Sequence, residues 1–220
     1  MNRFNMETVN PPRSTRLVQL PSLMRPRMDA PHISDRLPET ATHEAGHAVM
    51  VVALGGRINH FGVTIDGNWY CGYRFYVPER SWETTHLPIA LAGDCAEFEF
   101  CMEGDPFPSE RKLREALQAA RTGKPADNDL EAAMEILYRR NIGAAEEQLF
   151  DRCRMFVEAT YDMLQQPAVS RAVQGVAAGL LRHGHLTADQ VTRICRGSER
   201  SNPRNRLGGK KVATGRYRSE

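Results

Sequence analysis

No long apolar run interrupts this 220-residue sequence. The longest, Ala45 to Gly56, is about a dozen residues and contains His47, whereas a membrane-spanning helix needs roughly twenty. No apolar signal segment opens the chain. Both absences lead us to expect a soluble, cytoplasmic protein without a membrane partner. Cysteine is sparse and unpatterned. The five cysteines (71, 95, 101, 153 and 195) are odd in number and form no C-x-x-C pair. That argues against a disulfide framework and against a cysteine zinc knuckle, and predicts reduced thiols. A phosphate loop of the form G-x-x-x-x-G-K-[ST] is also missing, since Gly208-Gly209-Lys210-Lys211 is only a basic stretch. The chain is not expected to couple ATP hydrolysis to work.

Strong charge of either sign is missing overall but not locally. Against a chain total of +2, residues 1–38 carry +3 and residues 196–220 carry +6, which leaves −7 for residues 39–195. Both ends lack apolar periodicity, and the first holds six prolines. Such segments cannot offset their ordering entropy by burial. The expected organisation is a disordered N-terminal tail over 1–34, a domain over 35–196 and a basic disordered tail over 197–220. The acidic domain argues against a nucleic-acid partner, although a basic tail alone would favour one.

The remainder is ordinary globular sequence, 41% apolar and 25% charged, enough to bury a core. Pro38 suits the first turn of a helix that ends at Gly55-Gly56. Ile58 to Ile65 and Trp69 to Val77 are rich in aromatic and β-branched residues and flank Asp66-Gly67-Asn68, a hairpin signal. Helical patterns follow near 83–103, 109–121, 127–140, 144–165, 168–183 and 187–196, with Thr187 placed to cap the last. The fold class is therefore α+β, mostly α-helical, with a small antiparallel hairpin or sheet.

Chemistry concentrates in the first helix, which reads His43-Glu44-Ala45-Gly46-His47. Positions four apart lie about 40° apart around a helix and one turn apart along it, so two imidazoles can reach one zinc ion. Glu44 then projects beside the pair, placed to act on water rather than on the metal. The bland alternative is a pair of core histidines, because His43, His47, Met50, Val51 and Leu54 share helical spacing. Two such imidazoles beside a glutamate are costly to bury unpartnered. Gly46 is also costly in a helix interior, which predicts that something approaches the helix closely there. Catalytic zinc takes a third protein ligand. The metzincin continuation fails, with Met50 and Ala53 standing where its glycine and histidine belong. Asp129, Glu97, Asp94, His60 and His86 are the candidates from other elements. Ala90, Gly93 and Glu97 share a small-residue helix face that permits close packing, which favours Glu97 as a partner of a ligating imidazole over a ligand. His60 and His86 read as surface histidines.

Thr40-Ala41-Thr42-His43-Glu44-Ala45-Gly46-His47-Ala48-Val49 resembles the peptidase domain of FtsH-like proteases, the membrane-anchored AAA+ zinc metalloproteases. Phe61-Gly62-Val63-Thr64-Ile65, Leu91-Ala92-Gly93-Asp94-Cys95-Ala96-Glu97, Ala126-Asp127-Asn128-Asp129-Leu130-Glu131-Ala132-Ala133 and the stretch Leu180 to Val191 resemble further blocks of that family in the same order. The resemblance covers residues 38–195. It implies zinc held by His43, His47 and Asp129, with Glu44 as general base, and a metalloendopeptidase that hydrolyses peptides or unfolded proteins. Asp94 departs from the arginine of the family's pattern. The ATPase and the membrane anchor are not represented, so a separate unfoldase is an expected partner. The competing expectation is a catalytically silent binding or regulatory module on the same fold. Ile58 to Ile65 is further expected to offer a free strand edge to an extended substrate.

Overall fold

The computed structural model describes residues 37–65, 70–74, 82–101 and 107–200. Among them are seven helices and three short strands, in the order α1 (Leu37–Ala53), β1 (Arg57–Thr64), β2 (Tyr70–Arg74), α2 (Trp82–Cys101), α3 (Glu110–Thr122), α4 (Asp129–Arg140), α5 (Glu146–Gln165), α6 (Pro167–His183), β3 (His185–Leu186) and α7 (Ala188–Arg200). The architecture is α+β and mostly helical, as the sequence patterns predict. The expected turn at 66–68 and the expected tail over 1–34 lie outside the described residues. The last helix runs to Arg200 rather than stopping near 196, and the rest of the expected basic tail lies outside as well.

Local chemistry explains the helix boundaries. The Ser109 side chain accepts from the Lys112 amide at the start of α3, and Gly123 closes that helix at φ 69°, the left-handed geometry that glycine adopts without a Cβ penalty. Thr187 accepts from the Gln190 amide at 3.3 Å while Gln190 Oε1 accepts from the Thr187 amide at 2.8 Å. This reciprocal capping box starts α7. Asn128 caps α4 by accepting from the Glu131 amide, which fixes Asp129 as the first residue of that helix.

Helix α1 is the axis of the molecule. Thr40 through Val51 are buried without interruption, so the helix has no solvent face and its polar residues must be explained by what they meet. It packs against α2 and α6, while α2 also meets α4 and α5. The closest approach is at Gly46, where a Cβ would meet the Ala92 carbonyl oxygen and lie 2.7 Å from Ala96 Cβ. This is the close neighbour that the glycine predicts. Met50, Leu87, Leu113, Leu117, Met134, Leu137, Leu149 and Leu180 are fully buried in one continuous core; each contributes about 1.5–3 kcal/mol by leaving water. The Glu83 carboxylate ties the start of α2 to its neighbours, accepting from Arg152 Nε at 3.1 Å and from Asn141 Nδ2 at 3.1 Å.

The sheet corrects one expectation. Its order is β2-β1-β3, so β1 is the central strand and not an edge. Val63 pairs with both Cys71 and Leu186, which leaves no free edge at Val63 for substrate addition. The third strand is two residues long, too short to leave a periodic signal in the sequence. Gly62 permits this closure. It sits at φ 73° within the irregular register between Ile58 and Val63, and a side chain there would collide with the Leu186 carbonyl oxygen.

Candidate metal centre

Two helices bring one cluster together. His43 and His47 project from adjacent turns of α1, and Asp129 enters from the first turn of α4. All are withdrawn from water: His43 is 7% exposed, His47 8% and Asp129 1%. The imidazoles meet edge to face, with ring centroids 4.8 Å apart. His43 Nε2 and His47 Nε2 are separated by 3.1 Å. Asp129 Oδ2 lies 3.3 Å from the first and 3.1 Å from the second. The three atoms form a nearly equilateral triangle.

The outer nitrogens settle what the inner ones carry. His47 Nδ1 donates to the Ile89 carbonyl oxygen at 2.7 Å. His43 Nδ1 lies 3.1 Å from Glu97 Oε1. Each Nδ1 faces an oxygen acceptor and therefore holds the ring proton in the neutral imidazole, a tautomer assigned from these partners. Both Nε2 lone pairs then point inward at a carboxylate. With both rings neutral, the buried Asp129 Oδ2 has no hydrogen-bond donor. Three electron-rich atoms cannot share so small a space without positive charge among them. A proton can satisfy one pair of them; a cation satisfies all three. Nitrogen and oxygen donors about 2.0–2.1 Å from a tetrahedral zinc ion stand about 3.3 Å from one another, which is the spacing found here. The residues present fit a metal ion.

The electrostatics follow the same logic. Burial would lower the His43 pKa, but Asp129, Glu97, Glu44 and Asp94 outweigh it and raise it to about 10. Burial would likewise raise the Asp129 carboxyl, yet the two imidazoles opposite hold it below the usual aspartate range. Glu44, 7% exposed, behaves differently. Its burial pushes the carboxyl above the ordinary glutamate value, against the pull of His47 and His43. That makes it a stronger base than a surface glutamate.

The remaining sequence candidates fall elsewhere. Glu97 stands behind His43, at the nitrogen remote from Asp129, where it orients the ring. Asp94 Oδ1 is 3.9 Å from the same Nδ1, with a side chain 47% exposed. Together with His43 they form a looser second grouping of metal-type donors, but it uses the nitrogen whose proton Glu97 receives. His60 is exposed and packs its ring on Phe61, centroids 3.9 Å apart. His86 corrects the expectation of a surface histidine. It is 4% exposed, and burial, followed by the charge of Arg140, lowers its pKa to about 4. Two contributors escaped the sequence reading. The Ile89 carbonyl is backbone and leaves no residue signature. Gly93 was visible only as part of a small-residue face, and that face packs on the histidines.

Among the described residues no helix is long and apolar enough to cross a membrane, and Cys95, Cys101, Cys153 and Cys195 are free thiols. Compared with protein-family models, with curated proteins and with solved structures, the chain matches none.

Proposed function

We propose that this protein is a zinc metallopeptidase, similar to the peptidase part of FtsH-like proteases, that hydrolyses peptides or unfolded polypeptides. One observation carries the proposal: the convergence of His43 Nε2, His47 Nε2 and the unsatisfied Asp129 Oδ2 within 3.3 Å, next to a buried glutamate. Two neutral imidazoles and one carboxylate are a borderline-soft donor set that suits zinc and leaves a coordination position open.

His43, His47 and Asp129 would hold the ion; when bound, zinc would lower the pKa of a water to about 7 and polarise a carbonyl oxygen. The chain's own groups supply the rest. Glu97 and the Ile89 carbonyl fix the tautomers and aim both rings. The Glu44 carboxylate takes a proton from water as that water attacks the peptide carbonyl. Glu44 then delivers the proton to the departing amine nitrogen, a base-to-acid exchange favoured by its raised pKa. The second, looser group at His43 Nδ1 takes no part.

The test is cleavage of unfolded casein by wild type and Glu44→Gln, with zinc content measured in both. The proposal expects about one zinc per chain in each protein and turnover in the wild type alone. Equal cleavage by the two proteins would overturn it, as would zinc-loaded wild type that cleaves nothing.

A further inference from the structure

The glycine at position 93 is hard to explain from the backbone. It lies in the interior of α2, and it is not among the glycines with positive φ. Glycine is the poorest helix former after proline, so alanine should be preferred there unless a side chain is unwelcome. Gly46, on the facing helix, has its reason in the α2 backbone that presses on it. At Gly93 no backbone atom is among the nearest obstacles. A Cβ would lie 2.5 Å from His43 Nε2, 2.5 Å from His47 Nε2 and 2.5 Å from His43 Cε1.

We propose that Gly93 belongs to the metal site as the residue whose missing side chain keeps the ion's place open. The inference rests on the metal reading above and adds a fourth residue to it. The two nitrogens are 3.1 Å apart, so a point 2.5 Å from both lies over the gap between them. His43 Cε1 is equally near, so a methyl group there would press on the rim of that ring as well as on the gap and push the two nitrogens out of the arrangement in which they can share an ion. α2 thus acts on the site twice. Its Ile89 carbonyl holds His47 from behind, and one helical turn later its bare Cα gives the inward nitrogens clearance. Gly93 is a positioning residue with no chemistry of its own.

This role separates stability from metal binding. The obstacles to a methyl group are side-chain atoms at the inner ends of two rings, which can yield by tilting about their Nδ1 contacts to Glu97 and Ile89 as a backbone atom cannot. Without metal, Gly93→Ala should therefore fold and unfold thermally at the wild-type temperature or above it, since alanine favours the helix. Its affinity for zinc, measured by competition with a chromophoric chelator, should fall by at least about a hundredfold, no less than the upper range for losing an outer-shell partner. Wild-type affinity in the variant overturns the inference. If metal-free Gly93→Ala instead unfolds early, the double variant His43→Ala/Gly93→Ala decides. Recovery of stability over Gly93→Ala locates the crowding at the ring and supports the inference; no recovery places it elsewhere and overturns it. Failure of the wild type to bind zinc removes the metal reading itself, whereas zinc binding by wild type and variant alike removes only the role of Gly93.

Discussion

His43 Nε2 and His47 Nε2 stand 3.1 Å apart, and both outward nitrogens are already committed to oxygen acceptors. Without a metal, the surrounding carboxyls raise the His43 pKa to about 10, so near neutral pH this imidazole holds an extra proton that substitutes for the ion. Binding must expel it. Against its burial, the neighbouring carboxylate of Asp129 raises the His47 pKa as well, so zinc titrated into the metal-free protein at pH 7.5 should release protons, measured by calorimetry in buffers of different ionisation enthalpy. Heats that do not change with buffer would contradict this account of the apo site.

Glu97 tests the distinction between ligand and orienting group. Its carboxylate meets His43 Nδ1 at 3.1 Å, on the far side of the ring from Asp129. Glu97→Ala should weaken zinc binding by about 10–100-fold and leave the stoichiometry intact in excess zinc. If Glu97 were itself a ligand, its loss would match that of Asp129→Ala, and the two variants compared in one chelator competition separate the cases.

The α1–α2 contact tolerates no side chain at Gly46, because the first obstacle is the Ala92 carbonyl, a backbone atom that cannot rotate away. Gly46→Ala should cost about 1–3 kcal/mol by overpacking, despite the better helix propensity of alanine. Urea unfolding of the metal-free protein measures it. A neutral or stabilising result would show that the two helices separate freely. Gly93→Ala, one contact away, is expected to behave in the opposite sense.

His86 gives the fold an acid limit. Its folded pKa is lowered to about 4 by burial, then by Arg140, against about 6.5 in the unfolded chain. The unfolded state therefore binds more protons between these values. The stability from this residue is fully present above pH 6.5 and is lost as pH falls towards 4, amounting to about 3 kcal/mol at most. Thermal unfolding from pH 7 to 4 should show a decline that His86→Leu flattens. An unchanged slope in the variant would assign the acid sensitivity to other groups.

What the sequence made legible follows the reach of local geometry. His43, Glu44 and His47 lie within one helical step, so their spacing alone declares a shared target. Asp129 is remote in the chain, and among Asp129, Glu97, Asp94, His60 and His86 spacing could not choose; family resemblance pointed to Asp129, and the fold brings it to the two rings. Gly46 announced a close neighbour without naming Ala92. The Ile89 carbonyl belongs to the backbone, which carries no side-chain signature. β3 escaped because two residues have no period, and with it the fact that β1 is central. His86 looked like a surface residue because helix starts usually face solvent, whereas the start of α2 is held inward by Glu83 and its partners Arg152 and Asn141.

On the reading proposed above, His43, His47 and Asp129 jointly hold one divalent cation. Elemental analysis after zinc reconstitution and gel filtration, wild type beside Asp129→Ala, tests it most directly. About one zinc per chain is expected in the wild type and a small fraction of that in the folded variant. A metal-free wild type, or an Asp129→Ala protein that retains its zinc in full, would contradict it.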